Sequence, residues 1–136
     1  MRTLPLLAAL VWGAASSISG QAPTPTGAYS PIRTWLRNLT VMEEKFYAAH
    51  GTYSTDQLAL GMPMPKTHAD AVKQGFFLTI VQAGGRGWWA QGELVGPDAK
   101  GCAIYVGELK YLGTTPTTPG GTPVGGAEGR ITCDAP

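Results

Sequence analysis

"FFLTIVQAGGRGWWAQGELV", residues 76 to 95, decides the fold. Both halves are rich in aromatic and β-branched residues, and the glycine-rich "GGRG" between them marks a turn, so the pattern predicts a β-hairpin. Side chains alternate between faces along a strand, so the neighbours Trp88 and Trp89 must point to opposite faces. With two or four connecting residues, Phe77, Thr79 and Val81 share a face with Trp88, leaving Phe76, Leu78, Ile80 and Trp89 together on the other. With a three-residue loop of Gly84, Gly85 and Arg86, the inner face is Phe76, Leu78, Ile80, Trp88, Ala90 and Leu94. The outer face is then Phe77, Thr79, Val81, Trp89, Gln91 and Glu93. This second partition leaves less apolar surface in water, and glycines supply the positive φ that such a loop needs. Trp88 is therefore expected inside and Trp89 outside.

Two further strands follow, "CAIYVGEL" from Cys102 and the short "GRITCD" ending at Asp134. By alternation Ile104 and Val106 point inward and Tyr105 outward, so Trp89, Tyr105 and Phe77 become candidate partner-binding residues on one aromatic patch. The patch is exposed unless residues 51–75 or 113–129 fold across it. The second of these stretches, "GTTPTTPGGTPVGGAEG", is nearly all Gly, Pro and Thr and predicts a mobile surface loop without a core of its own.

Upstream, "SPIRTWLRNLTVMEEKFYAAHG" places Ile32, Trp35, Leu36, Leu39, Met42, Phe46 and Ala49 at helical spacing. A helix is predicted from about Pro31 to His50, with Ser30 as N-cap and Gly51 as its stop. Residues 51–75 carry turn residues and prolines, with one short helical turn from Ser54 or Thr55 through Leu60. The fold class is thus α+β: one long N-terminal helix packed on a four-stranded antiparallel sheet.

The N-terminus has an apolar run from Leu4 to about Ala15 after Arg2, then small residues to Gly20, which is the layout of a secretory signal over residues 1–20. Uncleaved, residues 4–20 would serve as a membrane anchor, and only then would the chain contact a membrane. Residues 21–29 read as a linker and 30–136 as one globular domain, the limit for 136 residues with 43% hydrophobic composition. In an exported chain the two cysteines, Cys102 and Cys133, imply a disulfide. Its expected location is periplasmic, cell-surface or extracellular.

Charge and chemistry exclude several function classes. The formal net charge is +1 with no block of like charge, so no sequence footprint favours nucleic acid or anionic lipid. Glu43 and Glu44 are adjacent on a helix and point about 100° apart, which favours a solvated face over a facing carboxylate pair. His50 and His68 lack metal-site spacing, and His50 suits a helix C-terminus. No Ser sits in a nucleophile elbow, and "NLT" at Asn38 falls inside the predicted helix. No catalytic residues, metal or cofactor are expected, and the chain reads as a non-enzyme.

"LRNLTVMEEKFYAAHGTYSTDQLALG", "GWWAQGEL", "GCAIYVG" and "EGRITCD" together resemble the globular part of type IV pilin-like proteins, including minor pilins and pseudopilins. Phe46, Tyr47, Gly51 and Tyr53 occupy the segment where that family ends its long helix. The resemblance spans roughly Ile32 to Asp134. It implies a helix-on-sheet scaffold stapled near the last strand, and partners among envelope proteins or a larger membrane complex. The family's hydrophobic N-terminal helix with an early glutamate has no counterpart, because "LPLLAALVWGAASSISG" lacks an acid and "APTPTG" interrupts it. A binding or assembly role is therefore implied rather than a filament core.

Overall fold

The computed structural model describes residues 25–62, 65 and 67–135. In chain order it holds helices α1 (Pro25–Ala28), α2 (Ser30–His50) and α3 (His68–Gln74), then strands β1 (Phe76–Ala83), β2 (Gly87–Leu94) and β3 (Gly101–Gly107). A 3-10 turn (Leu109–Tyr111) and strand β4 (Thr132–Cys133) complete the series. The strands form one antiparallel sheet in the order β1-β2-β3-β4, with α2 across one face. The α+β layout expected from the sequence is the observed one. The expected signal or anchor, residues 1–20, and residues 21–24 of the expected linker lie outside the described residues. Among the described residues, no helix is long and apolar enough to cross a membrane.

The start of α2 departs from expectation. Ser30 is its first residue rather than its cap; Tyr29 holds the cap position without a side-chain bond, and its carbonyl accepts from Arg33 N at 2.9 Å. The linker residues Pro25–Ala28 form α1. Gly51 stops α2 as expected: at φ 75° it takes the left-handed conformation and donates to Tyr47 O at 2.7 Å. Ile32, Leu36 and Leu39 form the buried stripe, with Trp35 and Met42 at its margins. Phe46 instead stacks on His50, ring centroids 4.0 Å apart. The stripe lies close to the sheet because β2 carries Gly92 beneath it, where an added Cβ would overlap Ile32 Cγ2.

The hairpin gives the expected facing by an unexpected route. From Phe76↔Leu94 to Ile80↔Ala90 the register pairs residues with even sums, so Phe76, Leu78, Ile80 and Ala90 face α2. Nearer the turn the pairs become Gln82↔Trp89 and Ala83↔Trp88, with odd sums. Gly84 N donates to Gly87 O at 3.0 Å, so only Gly85 and Arg86 connect the strands. The extra residue is a bulge at Val81 rather than a third loop residue. Neither Gly84, Gly85 nor Gly87 takes a positive φ, so the expected use of glycine there is not the observed one. Trp88 is fully buried in the core under α2, together with Ile104 of β3.

Residues 51–75 also hold the short helix α3, which the sequence reading did not single out. Thr67 caps it, its Oγ1 accepting from Asp70 N at 3.0 Å. The expected turn after Ser54 is a hydrogen-bonded turn rather than a helix, nucleated by Asp56, whose Oδ1 accepts from Leu58 N and Ala59 N.

Candidate functional site

On the face of the sheet away from α2, Trp89 is 4% and Tyr105 5% exposed. They form no open patch, because residues 113–129 cover them. With Ala103, Leu112 and Val124 they make a second apolar cluster, and Phe77, half-buried on β1, belongs to neither cluster. The exposed patch on which the partner-binding assignment of Trp89 and Tyr105 depended is thereby corrected; of the two alternatives, residues 113–129 folding across it is the observed one.

Specific polar contacts fasten that loop. The bulge at Val81 turns Gln82 to the outer face, where its Oε1 accepts from Thr114 N at 3.1 Å and Thr114 Oγ1 at 3.3 Å. Thr114 Oγ1 in turn accepts from Trp89 Nε1 at 3.0 Å. Tyr105 OH donates to Gly126 O at 2.6 Å, and Gln91 Nε2 to Thr117 O at 2.7 Å.

The strongest fastening is Asp134, just beyond β4 and 6% exposed. Its Oδ2 accepts from Gly101 N at 2.9 Å and Gly120 N at 2.8 Å; its Oδ1 accepts from Thr118 Oγ1 and from Thr122 Oγ1 at 2.8 Å. Burial pushes the carboxyl upward, but these donors outweigh it and hold it below the usual carboxylate range. Beside it, Cys102 and Cys133 form the expected disulfide, their residues paired across β3 and β4. The arrangement closes a loop.

Glu43 corrects a second expectation. It is fully buried on the α2 stripe, whereas Glu44 is exposed and accepts from Tyr53 OH at 3.0 Å. Glu43 Oε1 accepts from Ser54 N at 2.8 Å, and its Oε2 has no partner among the described residues. Burial raises its carboxyl to about 7; the Ser54 N–H lowers it and the Glu44 charge raises it further. Among the described residues, no group of three His, Cys, Asp or Glu is placed to hold a metal.

An open apolar surface lies instead along β1, the sheet's edge. A groove of about 700 Å³ is lined by Leu58, Gln57, Pro65, Leu78, Thr79 and Ile80, with Thr55 and Asp56 at its rim. Leu58 is 81% exposed. The edge carbonyls are partly capped, Gln74 Nε2 donating to Phe76 O at 2.7 Å and Gln57 Nε2 to Leu78 O at 3.2 Å. Gln57 Oε1 is buried without a donor among the described residues. Leu78, Thr79 and Ile80 stood out in the sequence only as hairpin residues, and Leu58 not at all, because "STDQLALG" sets it and Leu60 among turn formers; only edge position and exposure distinguish Leu58.

Comparison of the chain with protein-family models, with curated proteins and with solved structures returned no match.

Proposed function

We propose that this chain is an exported, non-catalytic structural or protein-binding subunit of the cell envelope, built on a pilin-like scaffold. The observation that carries the reading is the exposed Leu58 beside the groove on β1. Isolated exposed leucines are ordinary, but here Leu58 borders a concave apolar surface at the sheet edge. A partner segment lying along β1 would cover Leu58 and the groove, combining apolar anchoring with edge recognition. Export is supported by the signal-like residues 1–20 and by the Cys102–Cys133 disulfide.

A photo-crosslinking residue placed at position 58 in cells tests the contact. Defined adducts at 58, absent from a control at exposed Asp98, are expected, and Leu58→Asp should abolish co-purification of the crosslinked partner while leaving Tm unchanged. Equal crosslinking at 58 and 98 would overturn the contact. Mass spectrometry of the N-terminus tests export: a mature start near Gln21 supports a released subunit. An intact Met1 peptide in the membrane fraction makes it a membrane-anchored accessory subunit of a larger complex.

A further inference from the structure

Arg33 and Arg37 stand one turn apart on α2 and so project from the same side of the helix. The chain approaching β4 passes this side, bringing Arg130 to them across a sequence distance that no local pattern spans. The three arginines, with Gly129 and Ile131, line a polar cleft of about 470 Å³. Arg33 is half-buried, and Arg37 and Arg130 are exposed.

Three like charges around one cleft repel one another unless a counter-charge is present. None of the Asp or Glu side chains is ion-paired with these arginines among the described residues. All 9 Asp and Glu residues are among those described, and the one ion pair among the described residues is Lys110 with Glu108 at 3.2 Å. Arg33 also lies in the first turn of α2, which carries no acidic residue although the helix dipole favours negative charge there. The cleft is therefore positive from two sources and lined by groups whose planar N–H forks match tetrahedral and planar oxyanions.

We propose that this cleft binds a phosphate group. A dianionic tetrahedral oxyanion accepts bidentate bonds from more than one guanidinium at once and offsets more of the local charge than a single carboxylate. Free phosphate and the phosphate of a lipid headgroup share this chemistry.

Titration of the full chain with inorganic phosphate, against chloride at matched ionic strength, tests the site through side-chain Nε–H and Gly129 amide NMR signals. Saturable shifts confined to Arg33, Arg37, Arg130 and Gly129 are expected with phosphate and not with chloride. Arg37→Gln combined with Arg130→Gln should weaken binding at least tenfold without moving Tm, since both side chains are exposed. The double Lys variant keeps the charge but loses the fork and should fall between. Vesicles of phosphatidylglycerol separate the sources: retention that phosphate competes away assigns the headgroup, and phosphate binding without retention assigns the free ion. Equal responses to phosphate and chloride, or undiminished binding by the Gln variant, would overturn the site.

Discussion

Beneath α2 the sheet is covered by Ile32, Leu36 and Leu39, side chains that no single polar contact holds in place. Across the opposite face Trp89 and Tyr105 are covered by a loop with few apolar atoms, fastened through Gln82, Thr114, Gly126 and Asp134. One face is closed by area removed from water, the other by a loop held through specific donors and acceptors, Gln82 and Asp134 each accepting more than one bond. Each face also holds one buried acid, and the two are displaced in opposite directions: Glu43 upward under the helix, Asp134 downward under the loop. The difference teaches that an aromatic residue can be buried under a cover with few large apolar side chains, here Leu112 and Val124. Such a loop suffices when its bonds are anchored at fixed points of the sheet.

The sharpest way to break the comparison is at the helical face. Leu36→Ala is expected to cost about 3 to 5 kcal/mol, because a fully buried leucine leaves a cavity that α2 cannot close. Chemical denaturation should show both faces failing in one transition.

Next in size is Asp134→Ala, which strands two backbone N–H groups and two hydroxyls and should cost roughly 3 kcal/mol. Here the faces should separate: indole N–H exchange at Trp89 accelerates, while Trp88 remains protected and helical circular dichroism is retained. Because the carboxyl of Asp134 is held low in the fold, its contribution is present above the ordinary carboxylate range and is lost as pH falls through the lowered value.

Glu43 carries the opposite sign. Its folded value of about 7 lies above the ordinary 4.5, so the unfolded chain releases this proton first as pH rises. Stability is fully present below about pH 4.5 and declines across the window up to about 7, by roughly 2 to 3 kcal/mol. Glu43→Gln should therefore raise Tm at about pH 8, leave it nearly unchanged at about pH 4, and flatten the profile between. A Tm that the substitution lowers equally at both would show that the carboxylate is not disfavoured there. The smallest effect is expected from Trp89→Phe, which keeps the ring under the loop but removes the bond to Thr114, at about 1 kcal/mol.

Legibility follows the same division. The α2 stripe, the hairpin and the assignment of Trp88 to the core were readable, because apolar periodicity records burial against an apolar neighbour. The fold of residues 113–129 was not. Its anchors are backbone amides, threonine hydroxyls and Gln82, residue types common in any loop, and their partner Asp134 lies beyond the loop's own end. Glu43 was misread for a related reason. Its neighbour Glu44 suggested a solvated face, and nothing local signals that Ser54 returns to cover it. The groove at Leu58 and the cleft of Arg33, Arg37 and Arg130 are assembled only by the fold, so a sequence with balanced charge and no basic run conceals a concentrated positive site.

The bulge at Val81 makes hairpin length a matter of parity. Pairs near Gly85 and Arg86 count odd, pairs near Phe76 count even, and one residue reconciles them. Deleting Val81 would remove the bulge and join Ile80 to Gln82 in regular alternation, with Gln82 still on Thr114 and Phe76, Leu78 and Ile80 still under α2; deleting any other single residue of β1 would force a choice between the two. Any lineage that lengthens or shortens this hairpin without touching the bulge must therefore do so two residues at a time, and single-residue insertions and deletions elsewhere in it should be purged, loss of Val81 itself being the one that the register tolerates.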